Sequence, residues 1–253
     1  MLFRSAASNS VSIDLNTGTP YSFTINGQTT VAKNFERLGT DGLPFQTGTG
    51  NDVIIASRTS DPSGDDDWIN TNGGDDLVQI FLGRDQVNLG GGIDTLKISW
   101  GDIDKDVIYY GGAAPTYSVY IAGDYEREVD FLEVEKFDLA FGSGNDSVVT
   151  GDFGDTIDSG AGADTIQSGL GPDQIDAGAG IDRWIADLSA ASNPVSIDLN
   201  TSTPYSFTIN GQTTVAKNFE RLGKDGLPFQ TGAGNDVIIE DRKSTRLNSS
   251  HRT

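Results

Sequence analysis

Aspartate recurs every nine residues in two parts of the chain, and carboxylates in such a series could bind metal ions. Residues 141–185 divide without a gap into FGSGNDSVV, TGDFGDTID, SGAGADTIQ, SGLGPDQID and AGAGIDRWI. The sixth position of these units is always aspartate: Asp146, Asp155, Asp164, Asp173 and Asp182. The eighth position is always apolar, the second is always glycine, and the fourth is glycine except at Phe153.

A looser series of the same unit fills residues 62–97. Its sixth positions are Asp67, Asp76, Asp85 and Asp94, and its eighth positions are again apolar. Ser63, Asp65, Asn72 and Phe81 replace glycine at positions two or four, which leaves a backbone carbonyl but makes a tight turn harder to form. Single units stand at 47–55 and 231–239. We expect Asp52 to be a ligand although the break at 56–61 follows it, whereas Asp236 has no partner downstream.

The nine-residue spacing predicts a coil of two units. Glycines at alternate positions allow a tight turn with φ > 0, and the polar-apolar-polar stretch after each aspartate predicts a short strand with one inward side chain. Aspartates eighteen residues apart then share one edge: Asp146/Asp164, Asp164/Asp182, Asp155/Asp173, Asp67/Asp85 and Asp76/Asp94. These anions repel unless a cation lies between them. The alternative is a set of solvated Asp-Gly turns.

The chemistry of the available ligands favours calcium. The chain has no cysteine, and its one histidine is His251, so the candidate ligands are oxygens. Oxygen ligands favour a hard cation, and the flexible coordination of Ca²⁺ suits turn carbonyls better than the strict octahedron of Mg²⁺.

These units resemble the GGxGxDxUx nonapeptide of repeats-in-toxin (RTX) proteins, which bind calcium in a parallel β-roll. The resemblance implies that the position-six aspartates supply carboxylate ligands and that positions two and four supply backbone carbonyls. In 141–185 the implied carbonyl donors are Gly142, Gly144, Gly151, Gly160, Gly162, Gly169, Gly171, Gly178 and Gly180.

A longer repeat surrounds the nonapeptide blocks. Residues 5–55 return as 189–239 with four differences, and a diverged relative lies between the copies. Alternating apolar residues around Asn26-Gly27 predict a β-hairpin, which the middle copy keeps with a longer loop. We therefore expect an all-β chain in which β-roll blocks at 47–97 and 141–185 alternate with hairpin-rich spacers at 5–46, 98–140 and 186–230. The spacers would join and cap the rolls. Residues 231–240 would start a third block.

Five tyrosines in the middle spacer admit two interpretations. Cross-strand packing is favoured over a recognition role for this set, which comprises Tyr109, Tyr110, Tyr117, Tyr120 and Tyr125.

The composition restricts the classes of molecule that the chain could bind. The formal net charge is -20, which argues against nucleic acid and anionic membranes, and no apolar run is long enough to span a membrane. Residues 241–253 resemble a translated sequencing adapter, and we expect this segment to be disordered and to have no part in the fold or function. The alternative is a genuine basic tail. They hold four basic residues and one acidic residue, so residues 1–240 carry -23.

The sequence predicts a non-enzymatic calcium-binding segment of a large secreted protein, of structural, adhesin or toxin type, that folds when it meets extracellular Ca²⁺. The alternative is an accessory module of a secreted RTX protease, lipase or alginate epimerase whose catalytic domain lies elsewhere. No catalytic residue is predicted, because a Ser-His-Asp or Cys-His site is impossible once His251 is set aside. Ice binding is disfavoured because threonine at position seven occurs only at Thr156 and Thr165 in 141–185. A cell-surface or polysaccharide partner of the full-length protein stays open.

Overall fold

The described part of the chain consists of short β-strands and contains no helix. A computed structural model describes residues 10–16, 21–25, 28–32, 37–39, 43–56, 66–111, 117–123, 127–191, 193–201, 203–209, 211–224, 226 and 228–239. The tail at 241–253, the Asn26-Gly27 turn, Ser63, Asp65 and Tyr125 lie outside these residues, and the side chain of Tyr110 is not described.

The strands in chain order are β1 (Ser12–Asp14), β2 (Tyr21–Ile25), β3 (Gln28–Ala32), β4 (Phe45–Gln46), β5 (Val53–Ile55), β6 (Trp68–Asn70), β7 (Leu77–Ile80), β8 (Gly83–Asn88), β9 (Thr95–Ser99), β10 (Val107–Gly111), β11 (Tyr117–Ile121), β12 (Arg127–Leu132), β13 (Lys136–Ala140), β14 (Ser147–Val149), β15 (Thr156–Asp158), β16 (Ala161–Gly162), β17 (Thr165–Gln167), β18 (Gln174–Asp176), β19 (Ala179–Gly180), β20 (Arg183–Ile185), β21 (Ser196–Asp198), β22 (Tyr205–Ile209), β23 (Gln212–Lys217), β24 (Arg221–Leu222) and β25 (Val237–Ile239).

The chain forms two compact units, Met1–Ser147 and Val148–Thr253. In the first unit one sheet has the strand order β1-β5-β7-β9-β13, and the other has the order β10-β11-β12-β8-β6-β4. In the second unit the strand orders are β15-β18-β23-β22, β17-β20-β24, β16-β19 and β21-β25.

The nonapeptide strands pair in parallel, each with the strand that lies two nonapeptides away in the sequence. Leu77 pairs with Thr95 and Trp68 with Gln86 in the first unit. Thr156 pairs with Gln174 and Thr165 with Arg183 in the second. Each of these pairs is eighteen residues apart, so the predicted parallel β-roll with two units per coil is confirmed.

The core of each roll is built from the position-eight side chains. Every one of them in the two blocks is at most 3% exposed: Ile69, Val78, Val87, Leu96, Val148, Ile157, Ile166, Ile175 and Trp184. Because strand residues alternate faces, their neighbours point outward and are half-buried or exposed, except Ile185 at 4% exposure. Position one also turns inward, since Ile80, Leu89 and Ala177 are each 0% exposed. The core therefore holds side chains from positions one and eight.

The segments predicted as spacers contribute strands to the same sheets as the nonapeptides. Strands β1, β13 and β23 pair in parallel with β5, β9 and β18 at a register of 41 residues. The predicted hairpins are present as the antiparallel pairs β2–β3, β11–β12 and β22–β23. The spacers thus form wider coils of the roll, which we call wide coils. Two of the hairpin strands, β12 and β23, themselves pair in parallel with the nonapeptide strands β8 and β18.

Ion pairs and aromatic rings join the spacer strands to their neighbours. Lys97 on β9 pairs with Asp138 on β13, and Arg84 on β8 pairs with Glu128 on β12. The rings of Tyr109 and Tyr117 stack with centroids 6.3 Å apart, and Tyr117 stacks on Phe131 at 5.9 Å. These contacts support the packing interpretation of the two tyrosines.

Candidate metal centre

The position-six aspartates form hydrogen-bonded columns along the edges of the rolls. In each step the backbone N–H of one aspartate donates to Oδ1 of the aspartate in the next coil. The donor–acceptor distances are 2.8 Å for Asp67 to Asp85, 2.7 Å for Asp76 to Asp94, 3.1 Å for Asp155 to Asp173 and 2.8 Å for Asp164 to Asp182. The structure therefore brings together four of the five predicted carboxylate pairs. The remaining pair, Asp146 and Asp164, comprises one residue from each unit and stays a prediction.

The column of the first unit also crosses the break at 56–61. The N–H of Asp52 donates to Oδ1 of Asp76 at 2.7 Å, and Oδ1 of Asp52 itself accepts the N–H of Val11 at 2.6 Å. Strands β5 and β7 stay paired although the paired residues are 24 positions apart, six more than in the nonapeptide register. Asp52 therefore has the same surroundings as the aspartates of the main block.

All ten predicted carboxylate ligands are removed from solvent. Their exposure does not exceed 3%: Asp52, Asp67, Asp76, Asp85, Asp94, Asp146, Asp155, Asp164, Asp173 and Asp182. Asp236 differs, because it is only half-buried while its Oδ1 accepts the N–H of Val195 at 2.9 Å.

The second carboxylate oxygen marks where a cation fits. Among the described residues, no group donates a hydrogen bond to Oδ2 of Asp94 or Asp182. An ionised oxygen buried without a partner is strongly unfavourable, so buried charges in proteins are paired or bound to a metal. The backbone satisfies Oδ1 of these residues, which leaves Oδ2 as the atom available to a cation.

Burial shifts the titration of these carboxyls. Desolvation, with smaller contributions from the nearby carboxylates of Asp76 and Glu135, raises the pKa of Asp94 to about 6. Desolvation likewise raises the pKa of Asp173 and of Asp182 to about 7, with contributions from neighbouring carboxylates. These three carboxyls therefore favour protonation, because each is buried and lies beside another anion.

The glycines make room for the carbonyl of the preceding coil. A Cβ added to Gly180 would overlap the carbonyl oxygen of Gly162, and a Cβ added to Gly171 would overlap that of Phe153. Most of the other predicted glycines follow the same rule: Gly142 faces Ile103, Gly144 faces Lys105, Gly169 faces Gly151, and Gly178 faces Gly160. Gly151 differs, because its added Cβ would meet no atom within 4 Å. The turns therefore stack carbonyl oxygens beside the aspartate columns, with no side chain between them.

The non-glycine positions keep their carbonyls in this stack. Asn72 adopts φ 65°, and its carbonyl oxygen occupies the space where a Cβ of Gly90 would lie. The ring of Phe153 is 41% exposed, and its carbonyl faces Gly171. Asparagine tolerates the left-handed region better than most residues, and Phe153 turns its side chain outward, so both substitutions leave the carbonyl stack intact.

Three residues at the downstream ends of the columns are absent from the sequence-based prediction. The N–H of Asp94 donates to Oε2 of Glu135 at 3.0 Å, and the N–H of Asp182 donates to Oε2 of Glu220 at 2.8 Å. The N–H of Asp173 lies 3.4 Å from Oγ1 of Thr214. The two glutamates could have been found from the sequence, because each precedes a polar-apolar pair as a position-six aspartate does.

The donor set fits calcium. No group of three or more acidic or histidine side chains in a metal-binding arrangement occurs among the described residues, so a cation at these edges needs backbone carbonyls as well as carboxylates. Pairs of buried carboxylates beside stacked carbonyls supply such a mixed oxygen set, which Ca²⁺ accepts with its variable coordination number.

Comparison with known families agrees with this chemistry. Residues 142–175 and 149–183 each match the family model described as RTX calcium-binding nonapeptide repeat (4 copies). No curated protein matches the chain. The matched residues lie in the second nonapeptide block, and the first block has the same register and the same aspartate ladder.

Proposed function

Because the chain is an RTX-type calcium-binding repeat protein, we propose that it is a non-enzymatic segment of a larger secreted protein whose rolls fold on meeting extracellular calcium. The observation that supports this proposal best is the set of buried aspartates whose Oδ2 atoms receive no hydrogen bond from the described residues.

Calcium would act as part of the core. The columns place buried anions in successive coils, beside the apolar side chains that form the core of each roll. Carboxylate repulsion therefore opposes folding until a divalent cation neutralises the columns. Because the site does not exist in the unfolded chain, the free energy of binding adds directly to the free energy of folding.

The charge of the chain supports folding outside the cell. Extracellular calcium modules bind with Kd of roughly 10⁻⁴ to 10⁻³ M, far above cytosolic calcium. With a net charge of -20, the chain would stay unfolded during export and fold in millimolar calcium. No helix in the described ranges is long and apolar enough to cross a membrane.

Circular dichroism of the full chain tests the proposal. We expect little strand signal in excess chelator and a cooperative gain of strand signal as Ca²⁺ rises through about 0.1 to 1 mM. Mg²⁺ at the same concentrations is the control, and it should produce a much weaker response because it resists dehydration and demands octahedral geometry. Equal strand signal in chelator and in calcium would contradict calcium-dependent folding.

A further inference from the structure

The two columns that continue into the wide coils at Asp94 and Asp182 end on glutamate. Oε2 of Glu135 accepts the N–H of Asp94, and Oε2 of Glu220 accepts the N–H of Asp182. These are the bonds that Oδ1 of the next aspartate accepts elsewhere in each column. Each glutamate therefore continues the hydrogen-bond ladder of the nonapeptides.

The backbone around both glutamates repeats the nonapeptide geometry. Lys136, which follows Glu135, pairs with Thr95, which follows Asp94. Arg221, which follows Glu220, pairs with Arg183, which follows Asp182. The register thus places each glutamate at position six of a coil.

The residue at position four of these coils is also conformationally distinctive. Glu133 and Asn218 lie two residues before the glutamates, where the nonapeptide has glycine. They adopt φ values of 53° and 62°, in the left-handed region that few non-glycine residues occupy. The wide coils therefore reproduce a nonapeptide-like turn with a different sequence.

The aspartate beside each glutamate has an oxygen that needs a partner. Asp94 and Asp182 are both 0% exposed, and within the described ranges nothing donates a hydrogen bond to their Oδ2 atoms. A second carboxylate next to a buried one raises the electrostatic penalty further. Each junction therefore holds two neighbouring carboxylates, and the aspartate of the pair is buried. Among the described residues, no cationic side chain bonds to Oδ2 of that aspartate.

A hydrogen-bond cap by itself would not require glutamate. At the end of the Asp155/Asp173 column the uncharged Thr214 takes this place: its Oγ1 lies 3.4 Å from the N–H of Asp173 and donates to the carbonyl of Gly171 at 2.6 Å. The roll can thus end a column without adding an anion. The negative charge at Glu135 and Glu220 needs a further reason.

We propose that Glu135 and Glu220 are calcium ligands, and that each forms a junction site with Asp94 or Asp182 where the nonapeptide roll meets the wide coil. This inference rests on the calcium binding proposed above. It extends the cation columns by one coil into segments that lack the nonapeptide, so calcium would fasten each wide coil to its roll. The wide coils would then fold in the same calcium-dependent transition as the nonapeptides.

The test uses glutamine in place of each glutamate in the full chain. Glutamine keeps an oxygen that accepts the N–H of Asp94 or Asp182, and it removes only the charge. Asp104→Asn is the control because Asp104 is an exposed carboxylate of the same wide coil as Glu135 and takes no part in the columns. Bound calcium is counted by equilibrium dialysis and by the dependence of unfolding free energy on the logarithm of calcium concentration.

We expect Glu135→Gln and Glu220→Gln each to bind one ion fewer than the wild type, and the double variant to bind two fewer. Asp104→Asn should bind the wild-type number.

An unchanged ion count in Glu135→Gln and Glu220→Gln would overturn the inference while leaving the proposed function intact. A wild-type chain that binds no calcium would instead refute the proposed function. If a glutamine variant does not fold at any calcium concentration, Glu135→Asp or Glu220→Asp decides, since it restores the charge one methylene shorter. Recovery of calcium-dependent folding supports a ligand role, and failure to recover contradicts it.

Discussion

The carbonyl stack predicts that Gly180→Ala is strongly destabilising although alanine is a small residue. A Cβ at position 180 would overlap the carbonyl oxygen of Gly162, far inside the 3.0 Å that real Cβ atoms keep from such atoms. The neighbouring atom is backbone, so no side chain can rotate away. The two coils would have to separate locally by more than about 1 Å.

Overpacking and the backbone hydrogen bonds next to Gly180 determine how much stability Gly180→Ala removes. Overpacking costs about 1–3 kcal/mol, and a backbone obstacle places Gly180→Ala at the upper end of that range. The separation would also strain the N–H of Ala179 to Gly160 O and the N–H of Arg183 to Asp164 O, both 2.8 Å. Each such bond contributes about 1 kcal/mol, so the total loss is about 3–5 kcal/mol.

Gly151→Ala is the matched control. An added Cβ there meets no atom within 4 Å, so the change should be neutral or should stabilise by about 0.4–1 kcal/mol through the unfolded chain. Urea unfolding at saturating calcium measures both variants. If Gly180→Ala unfolds within about 0.5 kcal/mol of Gly151→Ala, carbonyl stacking is not the reason for glycine at this position.

Further predictions concern the carboxylates and the core. Asp173→Asn should raise the calcium concentration for half-folding at least about tenfold, because calcium affinity depends on ligand charge. Asp158 is exposed, so Asp158→Asn should change this concentration little in the same titration. Burial raises the pKa of Asp173 and of Asp182 from an ordinary 3.8 to about 7, so folding without calcium becomes less unfavourable as pH falls. In chelator, the weak strand signal at neutral pH should therefore increase as pH falls from 7 to 4, and a decrease over this interval would contradict the sign. Trp184→Ala should cost about 3–5 kcal/mol in urea unfolding, since the ring is 0% exposed, whereas Phe153→Ala, with its ring 41% exposed, should cost under about 1 kcal/mol.

The sequence by itself determined the roll. A nine-residue period fixes which side chains alternate inward and which carboxylates share an edge, because both follow from local strand geometry. The inward set from Ile69 to Trp184 and the eighteen-residue register were therefore predictable without knowledge of distant contacts. The importance of glycine was also predictable, although the reason at Gly180 is the neighbouring carbonyl as well as the freedom of the backbone.

Only the tertiary structure decided which strands the spacers pair with and which residues lie at the ends of the aspartate columns. The parallel register of 41 residues between β9 and β13 depends on which strand edge is available after a long excursion, and no local periodicity encodes that choice. This pairing places Glu135 beside Asp94, and the pairing of β5 with β7 carries the ladder from Asp52 to Asp76 across six additional residues. A carboxylate becomes a candidate ligand when a neighbouring coil buries it, and that neighbour is set by the fold.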